Sequence, residues 1–245
     1  GTFVDPRQQG GKLNEVTTED LIKLVEIDNK EYLYYKAIAP NIAFIRATTC
    51  DSEGYATFED EVMYLDALVI AQAVHNNGGI VMMQVQKMVK KATLHPKAVR
   101  IPGYLVDIVV IDPDQTQLYG GAPVNRFISG DFVLDDSQQT ALPLNQRKLV
   151  ARRALFEMRK GAVGNVGVGI ADGIGLVARE EGCADDFILT VETGPIGGIT
   201  SQGIAFGANV NTRAILDMTS QFDFYHGGGL DVCYLSFAEV DRHGN

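Results

Sequence analysis

The stretch Phe187-Ile188-Leu189-Thr190-Val191-Glu192-Thr193-Gly194-Pro195-Ile196-Gly197-Gly198 constrains the fold more than any other part of the chain. Its apolar and β-branched opening favours a buried strand, and the glycines and proline that follow cannot continue one. The strand must therefore stop close to Glu192 and deliver that carboxylate to its carboxyl edge, where open α/β sheets keep their ligand crevice. About twenty residues upstream, Gly164-Asn165-Val166-Gly167-Val168-Gly169-Ile170-Ala171-Asp172-Gly173 also reads as a strand breaking into a turn. Glycine lets backbone approach closely, so one acid and one bed of bare amides are expected to face each other.

A hydrophobic content of 46% over 245 residues is enough for one large core or two modest ones. Thirty-one acidic against twenty-one basic residues give a net charge of −10, and no Lys/Arg stripe stands ready to offset phosphate repulsion, which argues against a nucleic-acid partner. Cys50, Cys183 and Cys233 are odd in number and widely spaced, which suits reduced core thiols in a cytosolic protein. His75, His95, His226 and His243 share no metal-ligand spacing. No apolar run approaches the roughly 18 residues of a membrane span, and no basic segment followed by an apolar one opens the chain. The expectation is a soluble, cytoplasmic protein with no membrane contact.

Along the chain, 26–39 reads as a hairpin and 41–49 as a short strand closed by the turn Cys50-Asp51-Ser52-Glu53-Gly54. A sandwiched helix is expected over 59–75, stopped by Asn76-Asn77-Gly78-Gly79, with Asp60-Glu61 on a solvated face. Strands follow at 80–85 and 106–112, and the strand, helix, strand order predicts a mostly parallel α/β sheet. Residues 114–143 crowd Gln, Asp, Ser, Gly and Pro and read as a linker in which only Phe132-Val133-Leu134 could pack. Asn145 is set to cap a helix over 146–160 with Gly161 as its stop. After the glycine-rich turn come a helix at 173–181 with Glu180-Glu181 on a solvated face, the Glu192 strand, a helical stretch near 209–214, a strand beginning at Leu216, and Gln221 to Tyr225 ending against Gly227-Gly228-Gly229. Laying Gly54 on Gly244 puts Asp51 on Asp241 and Ile42 on Val232, so two apolar strands end in the same acidic-glycine turn, as an internal duplication would produce.

Glu192 has three readings. A carboxylate can attack an activated acyl compound such as a thioester, the oxyanion being held by backbone N–H groups such as those of Gly167, Val168 and Gly169. The same strand, glycine turn, helix and acid also follow the order of a dinucleotide site, although Gly167-x-Gly169-x-x-x-Gly173 has one residue too many. The plain structural reading is a turn-capping or water-facing acid. No Gly-x-Ser-x-Gly motif is present.

The motif Glu192-Thr193-Gly194-Pro195-Ile196-Gly197-Gly198, with Val166-Gly167-Val168-Gly169-Ile170 before it and Gln221-Phe222-Asp223-Phe224-Tyr225-His226-Gly227-Gly228-Gly229-Leu230-Asp231 after it, resembles the family I coenzyme A-transferases. The likeness is to the acetate (propionate) type, in which two halves are fused in one chain. Gly1-Thr2-Phe3-Val4-Asp5-Pro6-Arg7, Gly10 to Asn14 and Ala47-Thr48-Thr49 with Asp51 and Gly54 resemble parts of that family's first half. The resemblance implies two similar open α/β domains with mostly parallel sheets, each incomplete here: residues 1–113 from the first half, 114–143 as linker, and 144–245 from the second half. It further implies a ping-pong exchange with Glu192 as nucleophile, and Val168 and Gly169, with Gly194, at the oxyanion and substrate position, with an acyl-CoA hydrolase on the same site as the near alternative. Coenzyme A would be a substrate rather than a cofactor, no metal or redox cofactor would be needed, and acyl-CoA and short-chain carboxylates would be the partners. A homo-oligomer and the remaining segments of the same enzyme are also implied.

Overall fold

In the structure, a computed structural model, residues 4–12, 14–118, 121 and 123–243 are described. Residues 1–41 form one unit and 42–245 another. The first unit is built on β1 (Ile22–Ile27) and β2 (Lys30–Tyr35), an antiparallel pair. The hairpin expected at 26–39 exists and begins earlier. Asp28 and Asn29 turn the chain with φ of 52° and 61°, a two-residue reversal for which Asn and Asp are suited because they tolerate left-handed backbone. In the same unit, Arg7 donates from its guanidinium and its backbone N–H to Asp5, and this holds the Asp5 carboxyl at a pKa of about 2.

The second unit contains two five-stranded sheets. The first is made from β3 (Ile42–Asp51), β4 (Ala56–Thr57), β5 (Ile80–Val89), β6 (Val99–Ile101) and β7 (Ile108–Ile111), with α1 (Ala67–Asn76) between β4 and β5. Their order is β6-β4-β3-β5-β7. The strands β3, β5 and β7 run parallel, and β4 and β6 antiparallel. Ala43, Ile45 and Ala47 of β3 alternate into a core with Val81, Met83 and Val85 of β5, and Ala71 and Val74 of α1 close it.

The helix expected over 59–75 is shorter, starting at Ala67. Residues 59–66 are held instead by side chains from the sheet: the Thr48 hydroxyl accepts from the Asp60 amide at 2.9 Å, the Thr49 and Thr57 hydroxyls donate to the Glu59 carboxylate, and Arg46 donates to Glu61 at 3.0 Å. Leu65, with φ of 49°, completes the break. Glu61 is thus half-buried and paired rather than on a solvated helix face. Nor is α1 sandwiched, since Val69 and Ile70 are exposed and Ala71 and Val74 are its buried residues. Gly78 and Gly79 do stop it, donating to His75 and Val74 carbonyls.

The described residues of 114–143 have little regular structure, and they still pack. The buried Gln115 amide donates to the Ala47 carbonyl at 2.9 Å and to Glu61 at 2.8 Å, and the buried Gln117 donates to the Asp60 carbonyl. The segment's fully buried apolar residue among those described is Ile128, packed against Val62 and Ala208, while the partly buried Leu118 joins the same cluster and Leu142 packs on the core of the second sheet. Phe132 and Val133 are exposed, contrary to expectation.

The second sheet follows α2 (Gln146–Leu155), which is capped by Asn145 as expected and ends before 160. Its elements are β8 (Val163–Val166), α3 (Ile174–Glu180), β9 (Ile188–Thr190), β10 (Pro195–Ile196), the separate pair β11 (Ile199–Thr200) and β12 (Asn209–Val210), then β13 (Ala214–Ile215), α4 (Met218–Phe224) and β14 (Val232–Tyr234). The order is β13-β10-β9-β8-β14, with β14, β8 and β9 parallel and β10 and β13 antiparallel. Ala151, Leu155, Ile174 and Val177 of the two helices pack on Val166 and Leu189 of the strands. The pairs Glu180 with Lys148 and Glu181 with Arg152 join α3 to α2, so these acids are partnered.

Two expectations fail in this region. Residues 209–214 form strands joined at Asn211, with φ of 59°, not a helix. The chain after Leu216 is the helix α4, begun at Asp217, not a strand.

The fold is α/β, and each sheet is mixed, with two parallel and two antiparallel pairings in the same spatial sequence. The expected duplication gains a local counterpart. β3 and β14 begin at Ile42 and Val232, the Asp51 carboxylate accepts from the Glu53 amide at 2.9 Å, and the Asp241 carboxylate accepts from the His243 amide at 2.8 Å. Gly244, on which the alignment of the two turns was anchored, lies outside the described residues.

Candidate active site

Glu192 lies in the turn between β9 and β10, just past the carboxyl end of β9. The Gly194 N–H donates to the Val191 carbonyl at 3.0 Å, and the Val191 N–H to the Pro195 carbonyl at 3.0 Å, so the turn is closed at both levels. Gly194 has φ of 123°, and a Cβ there would stand 2.1 Å from the Leu216 carbonyl oxygen. No other residue type fits that backbone and that approach. Its N–H is already committed to the turn, so what Gly194 contributes is shape.

The parallel register places Asn165 of β8 beside Thr190 of β9, and Cys233 of β14 beside Asn165. Three polar side chains thus form a row across the sheet, and α4 lays Tyr225 over it. Asn165 Nδ2 donates to Glu192 Oε2 at 3.1 Å and to the Tyr225 hydroxyl oxygen at 3.2 Å. The Thr190 hydroxyl lies 2.7 Å from the Tyr225 hydroxyl and donates to the Gly164 carbonyl at 3.0 Å. The Cys233 thiol donates to Asn165 Oδ1 at 3.4 Å. Desolvation, with a smaller contribution from the Glu192 charge, holds that thiol above its ordinary pKa, so it stays protonated and able to donate.

The glycine-rich loop leaves β8 at the edge where Glu192 leaves β9. The Gly167 N–H donates to the Tyr234 carbonyl at 2.8 Å. The Ser236 hydroxyl donates to the Val168 carbonyl at 2.6 Å, and Arg147 to the Gly169 carbonyl at 2.8 Å. With both carbonyls held, the orientation of the intervening peptide is set. Among the described residues, the Val168 and Gly169 N–H groups donate to no protein acceptor, and Val168 is exposed. Gly169 has φ of 103°, and a Cβ there would meet the Ser236 hydroxyl at 2.7 Å.

The dinucleotide alternative fares worse. β8, α3 and β9 have the required order, yet the turn before α3 carries the buried carboxylate of Asp172, bonded to Gln202 at 2.8 Å. A negative charge stands where a pyrophosphate needs donors. Among the described residues, no group of three or more His, Cys, Asp or Glu could hold a metal ion, and no helix is long and apolar enough to cross a membrane. Cys50 is buried as expected of a core thiol, whereas Cys183 is half-buried and Cys233 is exposed beside the site.

Asn165, Thr190 and Tyr225 are not marked as site residues by the sequence reading, and Cys233 is read there as a core thiol rather than a neighbour of Glu192. One signal was available: Asn165 is a polar residue inside an otherwise small and apolar strand, and Thr190 shares the face of Glu192 by strand alternation.

Residues 1–112 match the model of the coenzyme A transferase family. The chain is 96% identical over 245 residues to acetate CoA-transferase YdiF of Escherichia coli (strain K12), covering 100% of this chain and 46% of that protein. It is 43% identical over 247 residues to the caffeate CoA-transferase of Acetobacterium woodii, covering 100% of this chain and 47% of that protein. The crystal structure of an acyl-CoA transferase (YdiF) from E. coli O157:H7 in a thioester complex with CoA matches 100% of this chain and 45% of its own, with a TM-score of 0.90 and 91% identity. The chain therefore spans about half the length of the curated relatives it matches. Residues 1–112 thus carry the pattern of the coenzyme A transferase family, and over its whole length the chain is similar in sequence and in fold to proteins named CoA-transferases.

Proposed function

We propose that the full-length polypeptide transfers coenzyme A between an acyl-CoA and a carboxylate, with Glu192 as the nucleophile. The carboxylate attacks the thioester carbonyl to give an acyl-glutamyl anhydride and CoA thiolate. The thiolate then attacks the glutamyl carbonyl, releasing the acid and leaving a glutamyl-CoA thioester, and an incoming carboxylate reverses both steps. The Val168 and Gly169 N–H groups stabilise the oxyanion that forms on the acyl carbonyl. Short-chain acids such as acetate are the proposed carboxylates, in keeping with a relative named acetate CoA-transferase. The segments of the longer polypeptide and a second copy of it complete the working enzyme.

The observation that carries this reading is the placement of Glu192. Its carboxylate is fixed by one amide donor at the carboxyl edge of three parallel strands, next to a loop in which the Val168 and Gly169 N–H groups donate to no acceptor among the described residues. An acid that merely capped a turn would bond to the backbone of its own turn.

The test is mass spectrometry of the full-length polypeptide after treatment with acyl-CoA. A CoA adduct is expected on the peptide bearing Glu192, and Glu192→Gln is expected to abolish the adduct and lower transfer by about 10³-fold or more. An adduct on another residue, or a Gln variant with undiminished transfer, overturns the proposal.

A further inference from the structure

The turn that holds Glu192 leans on a strap of chain outside its own hairpin. β13 ends at Ile215 and α4 begins at Met218. Ile215 pairs with Pro195, the Leu216 N–H donates to the Gly194 carbonyl at 3.0 Å, and the Leu216 carbonyl oxygen is the atom that a Cβ on Gly194 would meet. At its far end the strap starts α4, whose Tyr225 reaches Asn165 and Thr190. Residues 215–218 therefore bear on the Glu192 turn and on the helix beside it at once.

The other side of the strap is held from the first sheet. Arg100 of β6 donates from Nη2 to the Asp217 carboxylate at 2.8 Å, and its guanidinium carbon stands 3.8 Å from the centre of the Tyr64 ring. Stacking of this kind fixes the plane of the cation as well as its position. The Met218 N–H donates to the Leu65 carbonyl at 3.0 Å. Asp217 occupies the N-cap of α4 with the extended backbone that the position favours, yet its side chain makes no capping bond. An aspartate there ordinarily accepts from N–H groups of the helix's own first turn. Here that local bond is replaced by one to a residue 117 positions away. The two side chains are 32% and 31% exposed, so the pair adds little to stability, and what it sets is geometry.

We infer that Arg100 is a positioning residue for Glu192: stacked on Tyr64 and bonded to Asp217, it clamps residues 215–218 between the first sheet and the Glu192 turn. Leu65 is the second jaw of the clamp. When the Arg100–Asp217 bond is lost, Asp217 is free to turn back and cap its own helix, and the support behind Gly194 and the start of α4 loosen together. The carboxylate of Glu192 is then held less sharply, although Arg100 touches neither it nor the reacting atoms. This role rests on the reading of Glu192 as nucleophile.

It is tested by single-turnover formation of the Glu192 adduct from acetyl-CoA in the full-length polypeptide, with steady-state kcat and KM measured alongside. Arg100→Met keeps the stem and removes the donor. Asp217→Ser leaves a hydroxyl able to cap α4 but too short to reach Arg100, so it opens the clamp without weakening the helix. Each should slow adduct formation and lower kcat by about tenfold with KM for acetyl-CoA unchanged. The double variant should be no slower than either single one, because both remove the same bond, and Arg100→Lys should recover part of the rate. Either single variant decides the matter if the other melts below the assay temperature. Adduct formation at the parent rate in the folded variants, a raised KM with kcat unchanged, or additive slowing in the double variant overturns the role of Arg100 alone. Absence of any adduct in the unsubstituted protein overturns the Glu192 reading instead.

Discussion

Gly194 and Glu192 sit two residues apart and depend on the chain in different ways. The glycine is required by its backbone, with φ of 123° and the Leu216 carbonyl pressed against its Cα, and this was legible in advance because Gly-Pro after a β-branched run ends the strand in a tight turn. Gly194→Ala is expected to cost about 2–4 kcal/mol, read as a lowered urea midpoint, and to misplace Glu192. Gly182→Ala is the control: its φ is 72°, but nothing lies within 4 Å of the added methyl, so a loss of only about 1 kcal/mol is expected. Equal losses at the two sites would show that the close approach to Leu216 is unimportant. Glu192 too was legible as an acid at a strand end. Its partner Asn165 was not, because their contact depends on which residues of two parallel strands lie side by side, and register leaves no mark in a single sequence.

The segment 59–66 shows an element decided by its surroundings. Its apolar spacing continues that of α1 and reads as helix, yet the hydroxyls of Thr48, Thr49 and Thr57 and the guanidinium of Arg46 bind its backbone and acids and pull it open. Burial raises the Glu61 pKa despite the attraction of Arg46. The folded protein therefore takes up a proton on Glu61 more readily than the unfolded chain. Stability from this group is greatest below the ordinary glutamate range and is lost as pH rises through the higher folded value. Glu61→Gln keeps the shape without the charge, so the difference in melting temperature, variant minus parent, should become more positive as pH rises through that window. A difference that stays flat or turns negative would show that the pair with Arg46 outweighs desolvation. The same competition explains α4. Gln221-Phe222-Asp223-Phe224-Tyr225 is aromatic enough to read as extended, but Tyr225 reaches Asn165 and Thr190 from a helix.

At the scale of the residues from 42 to 245, two sheets of like pattern are joined by a segment whose composition suggests a passive connector. Ile128, 3% exposed, packs with Val62 and Ala208, one residue from either side of that segment. Ile128→Ala is expected to cost about 2–4 kcal/mol, measured by equilibrium denaturation, whereas truncating the exposed Val133 should be nearly neutral. A neutral Ile128→Ala would restore the view of 114–143 as a simple linker. From the sequence alone came the α/β class, the strand that ends at Glu192, the glycine loop at 167–169 and the Asn145 cap, because each follows from local backbone chemistry and the spacing of apolar residues. Only the tertiary structure decided the order of the strands, the half-buried pairing of Glu61 and the donor network on Glu192, because these join residues far apart in the chain, and their energies exist only once the sheets have brought them together.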